Sequence, residues 1–249
     1  MKNETPFLGS DFSKIKSKYS HFLKEVRKRL VFVFLVFVTA TLAGFVFYEK
    51  IIELAVKLLS LEGINIVFTS PFQFINLAIS CGVAVGLVLV FPILLAQIIS
   101  FLKPALKRKE FKAITGFLPF SLILFLIGFS FGAYLMKWQV GISVSRATML
   151  GIGNMLDISS LLSTVLLTSA MMGLGFQFPI VLTLLIRLRI ITRKEVGQKR
   201  LWIYLASFIF AMLLPANSII VDLFLSLPLI ILFEVTMVFS FFHERRTRR

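Results

Sequence analysis

Residues 24–47 read KEVRKRLVFVFLVFVTATLAGFVF. Four cations stop at Leu30, and the next eighteen residues carry no charge. As a helix those eighteen would rise about 27 Å, close to the roughly 30 Å hydrocarbon thickness of a bilayer. A basic cluster followed by an uncharged run of this length is the pattern of a membrane-spanning helix anchored on its cytoplasmic side.

Comparable runs recur at 71–102, 116–136, 161–186, 201–214 and 219–242. None shows the short alternating segments of a barrel, so helices are expected. The whole composition agrees. Of 249 residues, 58% are apolar, 16% are charged and 28 are Phe, with a mean hydropathy of +0.93. Soluble domains are about 45–50% apolar and about 25% charged, and their surface cannot hide this much hydrocarbon.

The net charge is +15. Of the 27 Lys and Arg, residues 1–29, 103–115, 187–200 and 243–249 hold 23, and only Lys50, Lys57, Lys137 and Arg146 lie in the other loops. The bias toward one side predicts that both termini are cytoplasmic. The charge therefore reads as orientation plus attraction to anionic membrane lipid, with no nucleic-acid partner required. The expected fold is an all-α integral membrane protein with six transmembrane helices, N-in/C-in. It divides into a basic cytoplasmic segment (1–29), a transmembrane domain (30–242) and a basic cytoplasmic tail (243–249).

Residues 49–61, EKIIELAVKLLSL, place Glu49, Lys50, Glu53 and Lys57 on one helical face and Ile, Leu and Val on the other. They predict a short extracytoplasmic amphipathic helix. Ser70 and Pro71 suit a helix start, Asp157 suits the N-cap of span four, and Pro92 suits a kink in the long second span. The fifth run, of fourteen residues, would rise only about 21 Å, and Pro228 is expected to interrupt the sixth. A cleaved leader is not expected, because no small-residue cleavage site follows the first apolar run.

Hydrolase, phosphate-loop and zinc signatures are missing from the sequence, so neither an enzyme nor a metal or other cofactor is expected. Cys81, the single cysteine, reads as a small packing residue. Polar residues inside apolar runs carry more information. Gln177, near Gly173, Gly175 and Pro179, suits either an interhelical hydrogen bond or a polar patch for a partner helix or substrate. Glu234 must be neutral, paired with a cation or exposed to a water-filled groove. Gln97 reads as interfacial. Glu25 and Glu110 are two carboxylates inside the basic cytoplasmic face. They suit either screened surface ion pairs or a site for guanidinium, which a carboxylate can grip with two parallel hydrogen bonds.

The order of motifs from residue 23 to 242 resembles the TatC family, the multispan subunit of the twin-arginine protein translocase. Glu25-Val26-Arg27-Lys28-Arg29-Leu30 is similar to its E-L-R-x-R-L motif, and Thr69-Ser70-Pro71-Phe72 to the start of its second helix. Pro92 to Gln97, Phe101 to Leu106 with Pro104, and then Glu110 resemble P-[IV]-x-x-x-Q…F-x-x-P-x-L-x-x-x-E. Phe125 to Phe131, Phe176 to Pro179, Lys199-Arg200 and Leu227-Pro228 to Phe233-Glu234 match later landmarks. The chain departs from the pattern at Phe22, at Gln177 where the family has Glu, and at Leu214 to Ser218 where it has T-P-P-D.

The resemblance implies a receptor for folded proteins whose signal peptides carry paired arginines. Glu25 and Glu110 would bind the arginines, and the apolar stretch would slide toward Gln177. TatA- and TatB-like single-span partners would dock near Leu214, Pro215 and Glu234, giving homo- and hetero-oligomers. Arg27, Arg29, Pro92, Pro104, Pro179 and Pro228 would be structural. The proton gradient would drive export across a bacterial plasma membrane, an organellar membrane being the alternative. Two further classes stand beside this one: a secondary transporter or channel for a small solute, motivated by Gln177 and Glu234, and an assembly scaffold.

Overall fold

Because backbone polar groups in hydrocarbon must be satisfied within the segment, long apolar runs become helices. The computed structural model follows that rule. It describes residues 7–59, 66–67, 72–103, 111, 115–151, 156–188, 190–215 and 218–247. The elements are α1 (Phe7–Val46), α2 (Tyr48–Leu59), β1 (Ile66–Val67), α3 (Gln73–Leu102), α4 (Phe117–Met149), β2 (Leu156–Asp157), α5 (Ile158–Gly175), α6 (Phe178–Arg187), α7 (Arg193–Gln198), α8 (Arg200–Met212) and α9 (Ile219–Thr247). Five helical stretches are long and apolar enough to cross a membrane: Leu23–Val46, Gln73–Phe101, Pro119–Arg146, Ser159–Arg187 and Ile219–Phe241. The fifth predicted span is the 13-residue α8, which rises about 20 Å.

Three boundaries differ from the sequence reading. The basic segment before Leu30 continues the first span, so α1 is one helix of 40 residues. Likewise α4 runs on from Met136 to Met149, because Lys137 ends the apolar run without breaking the helix. Pro228 lies inside α9 and does not interrupt it. The fourth span does break, at Phe176-Gln177, where Pro179 lacks an N–H and α6 begins anew.

Packing follows the small residues. Without a hydrophobic force between helices in lipid, close backbone approach supplies the contact energy. A Cβ on Gly82 of α3 would lie 2.7 Å from the Thr41 carbonyl of α1, and one on Gly128 of α4 2.7 Å from the Met172 carbonyl of α5. Thus α1 packs on α3, α3 on α5 and α5 on α4, while α9 packs against α6 and α8. Leu77, Cys81, Leu162, Met172 and Leu225 form the main core, which α2 covers with Ile51, Ile52, Ala55 and Val56. Glu53 faces out and pairs with Lys57 at 2.7 Å.

At one end of the bundle Asp157 caps α5, accepting from the Ser159 and Ser160 amides at 2.9 and 3.4 Å. Its other oxygen accepts from Gln73 Nε2 at 2.9 Å, and β1 pairs with β2 in parallel beside it. Ser70 and Pro71 lie outside the described residues.

A capping box starts α7. Thr192 Oγ1 accepts from the Glu195 amide and Glu195 Oε2 accepts from the Thr192 amide at 2.8 Å. That backbone donor, then the Thr192 side chain and Lys199, hold the Glu195 carboxyl below the usual range. A lowered folded value means the box is intact above the ordinary glutamate value and is lost as pH falls through the lowered one. The Thr192 amide should therefore be protected from hydrogen exchange at neutral pH, its protection factor collapsing in acid. The Glu195→Gln variant should lack that pH dependence. An equal acid collapse in the variant would assign the protection elsewhere.

Candidate functional site

The first cluster forms where α1 enters the bundle. Glu25 and Arg29 are four residues apart, hence on one helical face. Arg29 Nη2 and Nε both donate to Glu25 Oε1, at 2.8 and 3.3 Å. Its Nη1 crosses to α3 and donates to the main-chain carbonyl and to the side-chain Oε1 of Gln97, each at 3.1 Å. The guanidinium also lies 5.7 Å from the centre of the Phe101 ring. Arg29 is thus a strut between two helices, with its side chain 23% exposed. Glu25 keeps 38% exposure, and among the described residues its Oε2 accepts no hydrogen bond. Arg27, on the same helix, is exposed. Pro92 lies five residues before Gln97 on α3. Glu110 and Pro104 lie outside the described residues.

The second cluster is buried between α4 and the break in the fourth span. Gln177, 6% exposed, accepts from Ser121 Oγ at 3.0 Å. Its amide donates to the Ser121 and Gly173 carbonyls at 3.2 and 3.3 Å. Both amide hydrogens and the oxygen are therefore engaged. Pro179 is buried beside it, and Gly173 lets the Phe125 ring lie against the helix backbone. A side-chain amide satisfied this fully across two helices fixes their register.

The third cluster joins α8 to α9. Tyr204 Oη donates to Glu234 Oε1, and Arg200 Nη1 lies 3.6 Å from Oε2. Of the three states open to Glu234 by sequence, it adopts the paired one. At the far end of the hairpin Leu214 is buried, Pro215 is half-buried, and Asp222 is 8% exposed with Oδ1 unpartnered among the described residues. Ala216 and Asn217 of that turn lie outside them.

No hydrogen bond or ion pair among the described residues joins the three clusters to one another. Nor does any group of three His, Cys, Asp or Glu among them suit a metal ion. Sequence reasoning missed Tyr204 and Ser121 and took Gln97 as interfacial only. A partial signal exists for Tyr204, which sits four residues after Arg200 and so shares its face. Ser121 carries none, since a lone serine in an apolar run usually bonds its own helix.

Comparison with known proteins adds the lineage. The profile of the family described as Sec-independent protein translocase protein (TatC) matches residues 21–228. The Sec-independent protein translocase protein TatCy of Bacillus subtilis (strain 168) is 31% identical over 225 residues, covering 88% of this chain and 86% of that protein. TatC of Escherichia coli (strain K12) is 27% identical over 231 residues, covering 91% and 89%. Among solved structures, a crystal structure of the twin arginine translocase receptor TatC in DDM shares the fold. Its TM-score is 0.76 at 24% identity, covering 88% of this chain and 98% of that one. The chain belongs to the TatC family: it is a multi-pass membrane component of the Sec-independent protein translocase, a transport family and not a catalytic one.

Proposed function

We propose that this protein is the receptor subunit that binds paired-arginine signal peptides of folded proteins at the cytoplasmic face. The observation that carries this reading is Glu25, an anionic group set among cations, held by α1 against α3 with one carboxylate oxygen open among the described residues. A guanidinium matches a carboxylate in shape and charge, whereas an ammonium offers a single point contact. Glu110 is assigned to the second arginine. The apolar part of the signal peptide then lies along the bundle toward Gln177.

In this reading α8 completes a six-helix, N-in/C-in topology, and the shortness of α8 thins the bilayer around the α8–α9 hairpin. The apolar face of α2 caps the bundle on the extracytoplasmic side. TatA- and TatB-like single-span partners dock along the hairpin, near Leu214, Pro215 and Glu234. The assembly sits in a bacterial plasma membrane and uses the proton gradient.

The test is photo-crosslinking of a signal peptide bearing Arg-Arg, and of its Lys-Lys counterpart, to the protein in its membrane. Hydrogen bonds to charged groups contribute about 1.5–3 kcal/mol, so the low end predicts a roughly tenfold preference for Arg-Arg. Glu25→Ala and Glu110→Ala should each lower the Arg-Arg yield by a similar factor. Equal yields for both peptides and all three proteins would overturn the assignment.

A further inference from the structure

An arginine already occupies the carboxylate to which the receptor reading assigns an incoming one. Arg29 places two donors on Glu25 Oε1, and among the described residues nothing else occupies Oε2. A second guanidinium cannot take both oxygens of Glu25 while Arg29 holds the first. Yet Arg29 is not bound to Glu25 alone. Gln97 offers it two acceptors from α3, and the Phe101 ring lies under its charge. Either partner can hold the side chain while the other is engaged elsewhere.

We propose, resting on the signal-peptide reading above, that Arg29 is an internal placeholder exchanged between Glu25 and Gln97. In the empty protein it neutralises a half-buried carboxylate and keeps its rotamer fixed. On binding, the substrate guanidinium takes both oxygens of Glu25, and Arg29 remains on the Gln97 carbonyl groups and the Phe101 face. Gln97 is then a positioning residue. It does not touch the peptide; its acceptor strength sets how readily Glu25 is released. The exchange also sharpens selectivity. A guanidinium can replace a guanidinium bond for bond, whereas a lysine can only add one contact at the open Oε2.

The proposal makes opposite forecasts for two changes at one position. Gln97→Glu gives Arg29 a charged acceptor, draws it off Glu25 and should tighten Arg-Arg peptide binding about three- to tenfold. Gln97→Leu removes one acceptor, strengthens the hold on Glu25 and should weaken binding by a similar factor. Lys-Lys peptide binding should move less than about twofold in either protein. Affinity is measured by fluorescence anisotropy of the labelled peptides on the full chain in nanodiscs, with each variant's folding checked by gel filtration.

The control is Gln97→Glu combined with Glu25→Ala. Loss of the tightening in the double variant supports exchange. Its persistence means that the new carboxylate binds the peptide directly and overturns the proposal. So would equal affinities in wild type, Gln97→Glu and Gln97→Leu. If Glu25→Ala alone leaves wild-type affinity unchanged, the signal-peptide reading fails first, and the exchange fails with it.

Discussion

Gly128→Leu should separate α4 from α5 and leave little folded protein in detergent. A Cβ at this position would meet the Met172 carbonyl at 2.7 Å, with Phe176 Cγ and Cβ at 2.6 and 2.8 Å. Two of those three contacts are with atoms that rotamer changes cannot move: the Met172 backbone oxygen of α5 and the Cβ of Phe176, which caps it. The helices themselves must part. That breaks the Ser121–Gln177 bonds and the Gly132 approach one turn on, where Ser169 Cα lies 2.9 Å from the Cβ position. Overpacking typically costs about 1–3 kcal/mol and more where backbone must shift, so at least about 3 kcal/mol is expected.

Two comparisons separate this mechanism from a general intolerance of substitution. At Gly173 the obstructing atoms all belong to the Phe125 ring, so Gly173→Ala should be largely rescued by Phe125→Leu. No matching rescue of Gly128→Leu by Phe176→Ala should occur, because Met172 still obstructs. Gly141 has nothing within 4 Å of its Cβ position, and Gly141→Ala should raise stability by up to about 1 kcal/mol through helix propensity. Thermal unfolding followed by fluorescence-detected gel filtration reads all of these. A Gly128→Leu protein that melts with the wild type would show that α4 and α5 do not pack as described.

The glycines explain why the span positions were legible from sequence and the assembly was not. Apolar run length reports how much of a segment hydrocarbon tolerates, and every run from 30–47 onward contains or coincides with a helix. It says nothing of where a helix stops, since a helix satisfies its own backbone hydrogen bonds in water as it does in hydrocarbon. Hence α4 outruns its apolar stretch by thirteen residues and α1 extends back to Phe7. Pro228 shows the converse. Its ring removes one backbone hydrogen bond, yet in a low-dielectric setting the remaining bonds keep α9 in one piece.

Polar residues divide along the same line. Gln177 and Glu234 stand out in sequence because burial in lipid is expensive, but their partners do not. Ser121 lies 56 positions from Gln177, and Gln97 lies 68 from Arg29. Such pairs depend on which helices touch, and in a bilayer that choice rests on small-residue shape complementarity, not on hydrophobic patterning. Asp157 was legible because a cap is a local signal, four residues long. The family resemblance supplied the order of landmarks, and the hydrogen bonds among the described residues then distinguish a saturated amide at Gln177 from an open carboxylate oxygen at Glu25.

Tyr204→Phe should be the most destabilising hydroxyl deletion in the protein. The phenol donates to Glu234 Oε1 across the α8–α9 interface, and Phe233 next to that carboxylate is fully buried. Hydrogen bonds to charged groups contribute about 1.5–3 kcal/mol, whereas neutral interhelical bonds in a bilayer average about 0.6 kcal/mol. Deleting the donor also takes the phenol partner from Oε1 of a carboxylate that is 35% exposed. Arg200 does not make up the loss, since at 3.6 Å and 49% exposure it behaves as a surface pair worth about 0–1 kcal/mol. The expected order of destabilisation places Tyr204→Phe above Arg200→Gln. Glu234→Gln should fall between them, because the amide oxygen still accepts from Tyr204. Removing both ends with Tyr204→Phe and Glu234→Leu should recover most of the loss, since an apolar pair strands no polar atom. A double-mutant cycle on unfolding in lipid measures the coupling. A coupling energy near zero would mean that Glu234 is held by Arg200 or by water, and that the α8–α9 hairpin does not depend on the tyrosine.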